Sequence, residues 1–96
     1  MDERKIDSLL QLSYKARKLT FGYENIDRLK NIDFLIIASD LSENTKRHIL
    51  KRFKGEIFVY KTKHSLGALF GKKEIGVIIL LKDKLNLQIK DYFKNQ

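Results

Sequence analysis

The chain is 96 residues long, with 20 basic and 12 acidic side chains, a net charge of +8, and no cysteine or proline. That length suits one domain, read as residues 1–96, and the missing thiols exclude disulfides, thiol catalysis and thiolate metal sites. So large a positive excess on so small a body favours a polyanionic partner, with nucleic acid first and an anionic membrane surface second.

The first predicted element is an amphipathic helix over Asp2 to Lys18, with Ile6, Leu9, Leu10 and Ala16 near one face. Leu19-Thr20-Phe21 is a short extended piece ending at Gly22, and a second, shorter helix runs from Tyr23 to Lys30 with Ile26 and Leu29 inward. Asp33 to Ser39 holds the unbroken apolar run Phe34 to Ala38, the pattern of a strand covered on both faces. Ser42 reads as a helix N-cap, because its hydroxyl can accept from the free N–H groups of a first turn. That helix runs to Lys54 and stops at Gly55, with Ile49, Leu50 and Phe53 on its core face. Ile57 to Tyr60 is a strand, Lys63 to Phe70 a short helix closed by Gly71, and Ile75 to Leu81 another doubly buried strand. The last helix, Asp83 to Lys94, carries Leu85, Ile89, Tyr92 and Phe93 at i, i+4, i+7 and i+8. Alternating helices and doubly buried strands predict a three-layer α/β/α sandwich, with a four-stranded mixed sheet and about five helices. The charged start and the shortness of the longest apolar stretch predict a cytoplasmic protein that does not enter a membrane.

Three groups of residues could carry chemistry. Gly22 lies at a strand-to-helix junction, where a missing Cβ admits a foreign backbone or base. Behind it Tyr23 offers a ring, Glu24 an acceptor for a guanine or cytosine amine, Asn25 an amide for a base edge and Arg28 a phosphate contact. The plain alternative is a helix cap with solvated polar neighbours. Lys72 and Lys73 sit on a turn before a strand, where they can clamp a phosphate backbone, or they are simply two exposed lysines. Arg47, Lys51 and Lys54 form a basic stripe at i, i+4 and i+7, which reads first as a solvated outer face. Tyr14, Tyr23 and Tyr60 are candidates for base stacking. His48 and His64 show no paired ligand spacing, so no metal and no cofactor is expected. No nucleophile–base pair, phosphate-binding glycine loop or carboxylate cluster points to an enzyme or to a small-molecule substrate.

Three blocks of the sequence also resemble one family. Ala16-Arg17-Lys18-Leu19-Thr20-Phe21-Gly22 resembles an A-x-K-L-x-x-G opening. Leu35 to Lys46 resembles a second strand and loop of the form hydrophobic, A-x-D, then S-E-N-T. Lys63 to Lys72 resembles a K-x-x-L-G-x-x-x-G-K segment. In this order the blocks are similar to the ribosomal L-seven-Ae superfamily of kink-turn-binding proteins, and within it to the bacterial YlxQ-type members. The resemblance spans about Ile6 to Leu81. It implies an α/β/α sandwich that binds structured RNA, ribosomal RNA or the ribosome foremost, in the service of translation. Carried over by motif position, it assigns RNA contacts to Gly22, Tyr23, Glu24, Asn25 and Arg28. It assigns others to Lys72, Lys73, Glu74 and Ile75, with Lys18 and the Ser42 to Lys46 loop, Lys46 included, beside them. The chain departs from the family pattern in three places: Glu24 precedes Asn25 where the order is usually reversed, Arg28 stands for lysine, and Arg17 stands for a common glycine. Relatives of this fold also include protein-interaction modules, which keeps a second reading open.

Overall fold

The structure is a computed structural model that describes residues 2–95. The two long apolar runs become the two central strands of one sheet, β2 over Ile32–Ile37 and β4 over Val77–Leu81. Side chains alternate across a pleated strand, so β2 sends Phe34 and Ile36 to one face and Leu35 and Ile37 to the other. β4 does the same with Ile78 and Leu80 against Val77 and Ile79. Each face therefore has its own core, and neither strand can show a polar alternation in sequence. Removing the fully buried Phe34 ring would cost about 3–5 kcal/mol.

Short β1, Leu19–Phe21, and β3, Glu56–Val59, form the edges in the order β1-β4-β2-β3. The pair β2–β3 is parallel and the other two pairs are antiparallel, so the sheet is mixed. Four α-helices surround it: α1 over Glu3–Lys15, α2 over Glu43–Arg52, α3 over Lys63–Leu69 and α4 over Lys84–Lys94. The first core takes Ile6 and Leu10 of α1, Leu66 of α3, and Ile89 and Phe93 of α4. The second takes Ile49 of α2 and Ile26 of a 3₁₀ helix, Tyr23–Arg28. The result is a three-layer α/β/α sandwich with five helical elements, as expected. Every α-helix has a side-chain N-cap, from Asp2, Ser42, Thr62 and Asp83 in turn, each worth about 1 kcal/mol. Among the described residues no helix is long and apolar enough to cross a membrane.

The departures from expectation have local causes. α1 stops at Lys15 rather than Lys18 because Arg17 turns left-handed, at φ 60°, and the backbone N–H of Lys18 bonds to Ser13 O at 2.8 Å. With Arg17 N–H on Tyr14 O, this is a Schellman closure, whose left-handed residue is usually glycine. Ala16 is consequently exposed at the cap. α2 ends at Arg52, two residues early, because Phe53 swings into extended backbone and lays its ring over Gly55. Leu50, expected in the core, is 58% exposed: it lies about 100° around the helix from the buried Ile49. The element after Gly22 is a single 3₁₀ segment, and Leu29 is already extended.

Candidate nucleic-acid interface

β1 and β4 run antiparallel, which brings the exit of one beside the entry of the other. Phe21 pairs with Ile78, and the N–H of Gly22 donates to Val77 O at 3.1 Å. Two segments some fifty residues apart in sequence thus become the walls of one open cleft of about 350 Å³. Phe21, Gly22, Tyr23 and Glu24 line one wall, Glu74 to Val77 the other, and Leu41 and Thr45 the floor.

Gly22 has φ 92°, a conformation L-residues rarely adopt. A Cβ there would lie 2.3 Å from Oε1 of Glu24, so the bare Cα lets the Glu24 carboxylate fold back across the turn. Gly76 serves the opposite wall: a Cβ would meet Leu41 Cδ1 at 2.8 Å, so its absence lets the floor close. The 3₁₀ winding eclipses residues three apart, which sets Arg28 directly over Asn25. The Arg28 guanidinium donates to Asn25 Oδ1, while the Asn25 amide donates to Phe21 O at 2.8 Å. Asn25 is therefore a brace inside the turn, and the exposed Arg28 keeps its other N–H groups for a ligand. The Tyr23 ring lies against His48 of α2, with centroids 6.0 Å apart and planes at 17°.

Lys72 and Lys73 are exposed on the turn leading to the second wall. That turn rests on α3: Lys72 N–H donates to Gly67 O at 2.9 Å, and a Cβ at Gly67 would lie 2.6 Å from Lys72 O. Neither lysine has an acidic partner among the described residues, whereas six of the 20 basic side chains are held in ion pairs. Charge is thus divided, with carboxylates of Glu24 and Glu74 in the cleft and free cations beside it. The cleft can accept hydrogen bonds from base amines, and phosphate is favoured only at its margins.

Not every candidate joins this site. Lys18 precedes β1, about 13 Å of extended chain from Gly22, and its amine pairs with Asp83 at 3.6 Å. Lys46 lies on the other flank of α2, over Ile37, Ile49, Leu50 and Ile57, paired with Glu43 at 3.4 Å. Ile75 is 5% exposed and its side chain belongs to the first core, so only its backbone can face a ligand. Tyr60, a stacking candidate in the sequence, is 4% exposed and hydrogen-bonds to Asp7 at 2.7 Å. Burial and that carboxylate push its phenol pKa far above the usual range. Sequence reasoning missed Leu41, Gly76 and Val77, whereas Thr45 belongs to the Ser42 to Lys46 segment already set beside the site. The glycine ahead of an apolar run was the one available signal for Gly76, and nothing in sequence links Tyr23 to His48.

No protein-family model matches the chain, and no curated protein matches it. Among solved structures, a protein with unknown function from Bacillus halodurans C is similar at 25% identity. That match has a TM-score of 0.81 and covers 94% of this chain and 97% of that one. The Giardia lamblia 15.5kD RNA binding protein shares the fold at 12% identity. There the TM-score is 0.68, over 97% of this chain and 88% of that one.

Proposed function

We propose that this protein is a non-catalytic binder of structured RNA, working in translation and on ribosomal RNA in the cytoplasm, with kink-turns as the RNA shape its cleft fits. The observation that carries the reading is the cleft between Gly22–Glu24 and Glu74–Val77, with its acceptors inside and its unpaired lysines at the margin. The first wall begins in the Ala16–Gly22 block and the second directly follows the Lys63–Lys72 block that resembles the L-seven-Ae superfamily, which supports YlxQ-like membership. The fold shared with an RNA binding protein of Giardia lamblia supports the RNA reading. In this reading Glu24 and Glu74 accept from exocyclic base amines, Tyr23 presents a ring edge, and Arg28, Lys72 and Lys73 hold phosphates. The swapped order of Glu24 and Asn25 leaves the carboxylate in the cleft and the amide inside the turn.

The test compares a kink-turn RNA with a plain duplex of equal length at two salt concentrations. Shape recognition predicts a kink-turn preference that persists at the higher salt. The double variant Lys72→Ala/Lys73→Ala should flatten the salt dependence by about one unit of log–log slope per lysine. Equal binding to both RNAs that vanishes with salt would reduce the site to a basic surface, and an unchanged slope would remove the lysines from it.

One observation favours a protein-interaction module instead. Leu50 and Val59 are 58% and 59% exposed beside the unpaired edge of β3. That reading gains if nuclease-treated protein keeps a stoichiometric protein partner while binding neither RNA.

A further inference from the structure

Outside the cleft, the most exposed aromatic ring is that of Tyr14 on α1, at 39%. It does not stand alone. Its centroid lies 5.3 Å from that of Phe21 and 5.2 Å from that of Phe70, and those two rings are 5.1 Å apart. Such tilted and edge-on packing fixes the ring before any ligand arrives, so little conformational freedom is lost on stacking. Tyr14 opens onto a shallow surface dent of about 300 Å³, lined also by Gln11, Lys15, Leu69 and Phe70. The Gln11 amide donates to Leu69 O at 2.9 Å, which leaves its carbonyl oxygen as an acceptor at the edge of the dent.

The trio is joined to the cleft on both sides. Phe21 belongs to both, because it lines the cleft and touches Tyr14 and Phe70. From Phe70 the chain runs through Gly71, Lys72 and Lys73 to Glu74 on the opposite wall. The two unpaired lysines therefore lie between the aromatic trio and the cleft, and Lys15 continues the positive charge along α1.

We propose that the Tyr14–Phe21–Phe70 cluster is a stacking platform for an unpaired nucleotide that leaves the RNA element held in the Gly22 cleft. The inference rests on the RNA reading above and adds to it a single-stranded subsite. A base stacks on the open face of Tyr14, Gln11 accepts from its amine, and the linking phosphate crosses Lys72 and Lys73.

The experiment uses the full chain and three forms of one structured RNA: blunt, extended by two unpaired purine nucleotides at either end, and extended by two abasic nucleotides. The abasic form carries the same phosphates, so the comparison isolates the bases. Affinity is measured by fluorescence anisotropy at one salt concentration. The platform predicts that, at one end, the purine extension binds about tenfold tighter than the abasic one. Tyr14→Leu should erase that difference and Tyr14→Phe should keep it. Equal affinities for purine and abasic extensions at both ends would overturn the platform while leaving cleft binding of the blunt RNA intact. A difference that survives in Tyr14→Leu would overturn it too. Failure to bind any of the three RNAs would instead overturn the RNA reading, and the platform with it.

Discussion

Asn86 should be among the residues this fold can least afford to lose. It lies on α4 with no exposed surface, and its side chain makes three hydrogen bonds. The amide donates to Lys18 O at 2.8 Å and to Leu81 O at 2.7 Å, and the carbonyl accepts from Ser13 Oγ at 2.6 Å. One side chain thus ties α4 to α1, to the entry of β1 and to the end of β4. In Asn86→Ala the Ser13 hydroxyl and the Leu81 carbonyl lose this partner inside the protein, at about 1–3 kcal/mol each. Lys18 O still receives Leu81 N–H at 3.0 Å, so its loss is nearer 1 kcal/mol. The expected total is about 4 kcal/mol, a large share of the roughly 5–15 kcal/mol typical of a domain. At about 4–8 °C per kcal/mol, Tm should fall by roughly 20 °C. Ser13→Ala orphans only the Asn86 carbonyl and should cost about 1–2 kcal/mol. Urea unfolding followed by far-UV circular dichroism measures both. A loss under about 1 kcal/mol in Asn86→Ala would show that the network is not what holds these elements together.

Other perturbations have equally definite signs. Gly22→Ala must strain the φ 92° backbone and displace the Glu24 carboxylate, so stability should drop by about 1–3 kcal/mol, and any RNA affinity that depends on Glu24 should drop with it. Arg17→Gly relieves a left-handed φ of 60° at the end of α1 and should raise stability by about 1 kcal/mol, readable as a higher urea midpoint. Stability should also depend on pH in two separate windows. Lys90, hydrogen-bonded to Asp33 and to Glu56, has its pKa raised, and burial with Asp7 raises that of Tyr60. Both groups therefore stabilise the fold fully below about pH 10, where their unfolded counterparts start to ionise, and the contribution is lost as pH rises further. Glu56 is held low by Lys94 and then Lys90, so its contribution is present above about pH 4.3 and is lost as pH falls. Urea midpoints measured from acid to alkali should show a plateau bounded on both sides, and Lys90→Met should shrink the alkaline loss.

The sheet was legible because its central strands are unbroken apolar runs, and the helices because 3.6-residue spacing recurs along them, with Ser42 readable as a cap. The cleft was legible only as two separate segments; that they face each other follows from the β1–β4 pairing, which no local pattern encodes. Asn86 and Ser13 were invisible because a polar pair 73 residues apart interrupts an apolar stripe without announcing its partner. Tyr60 misled for the opposite reason: an aromatic with a hydroxyl reads as half-exposed until the Asp7 carboxylate of α1 is found beside it. Asp33 is comparable, since a register shift between Ile32 and Phe34 turns it toward Lys90, 2.6 Å away. Arg17, by contrast, stands where the family that this sequence resembles commonly carries glycine, and its left-handed backbone is of the kind that favours glycine.

The strand order also bears on how the protein folds. β4 is the last strand in the chain, yet it sits between β1 and β2. During synthesis, β2, α2 and β3 can pair as a local parallel unit, but β1 has no neighbour until residues 77–81 have emerged. Closing the Leu19–Leu80 pair requires a loop of about sixty residues, so the antiparallel half of the sheet forms late and from distant contacts. Both walls of the cleft meet at that junction. Nascent chains halted before β4 should therefore lack the cleft altogether, even where their first helices are already formed.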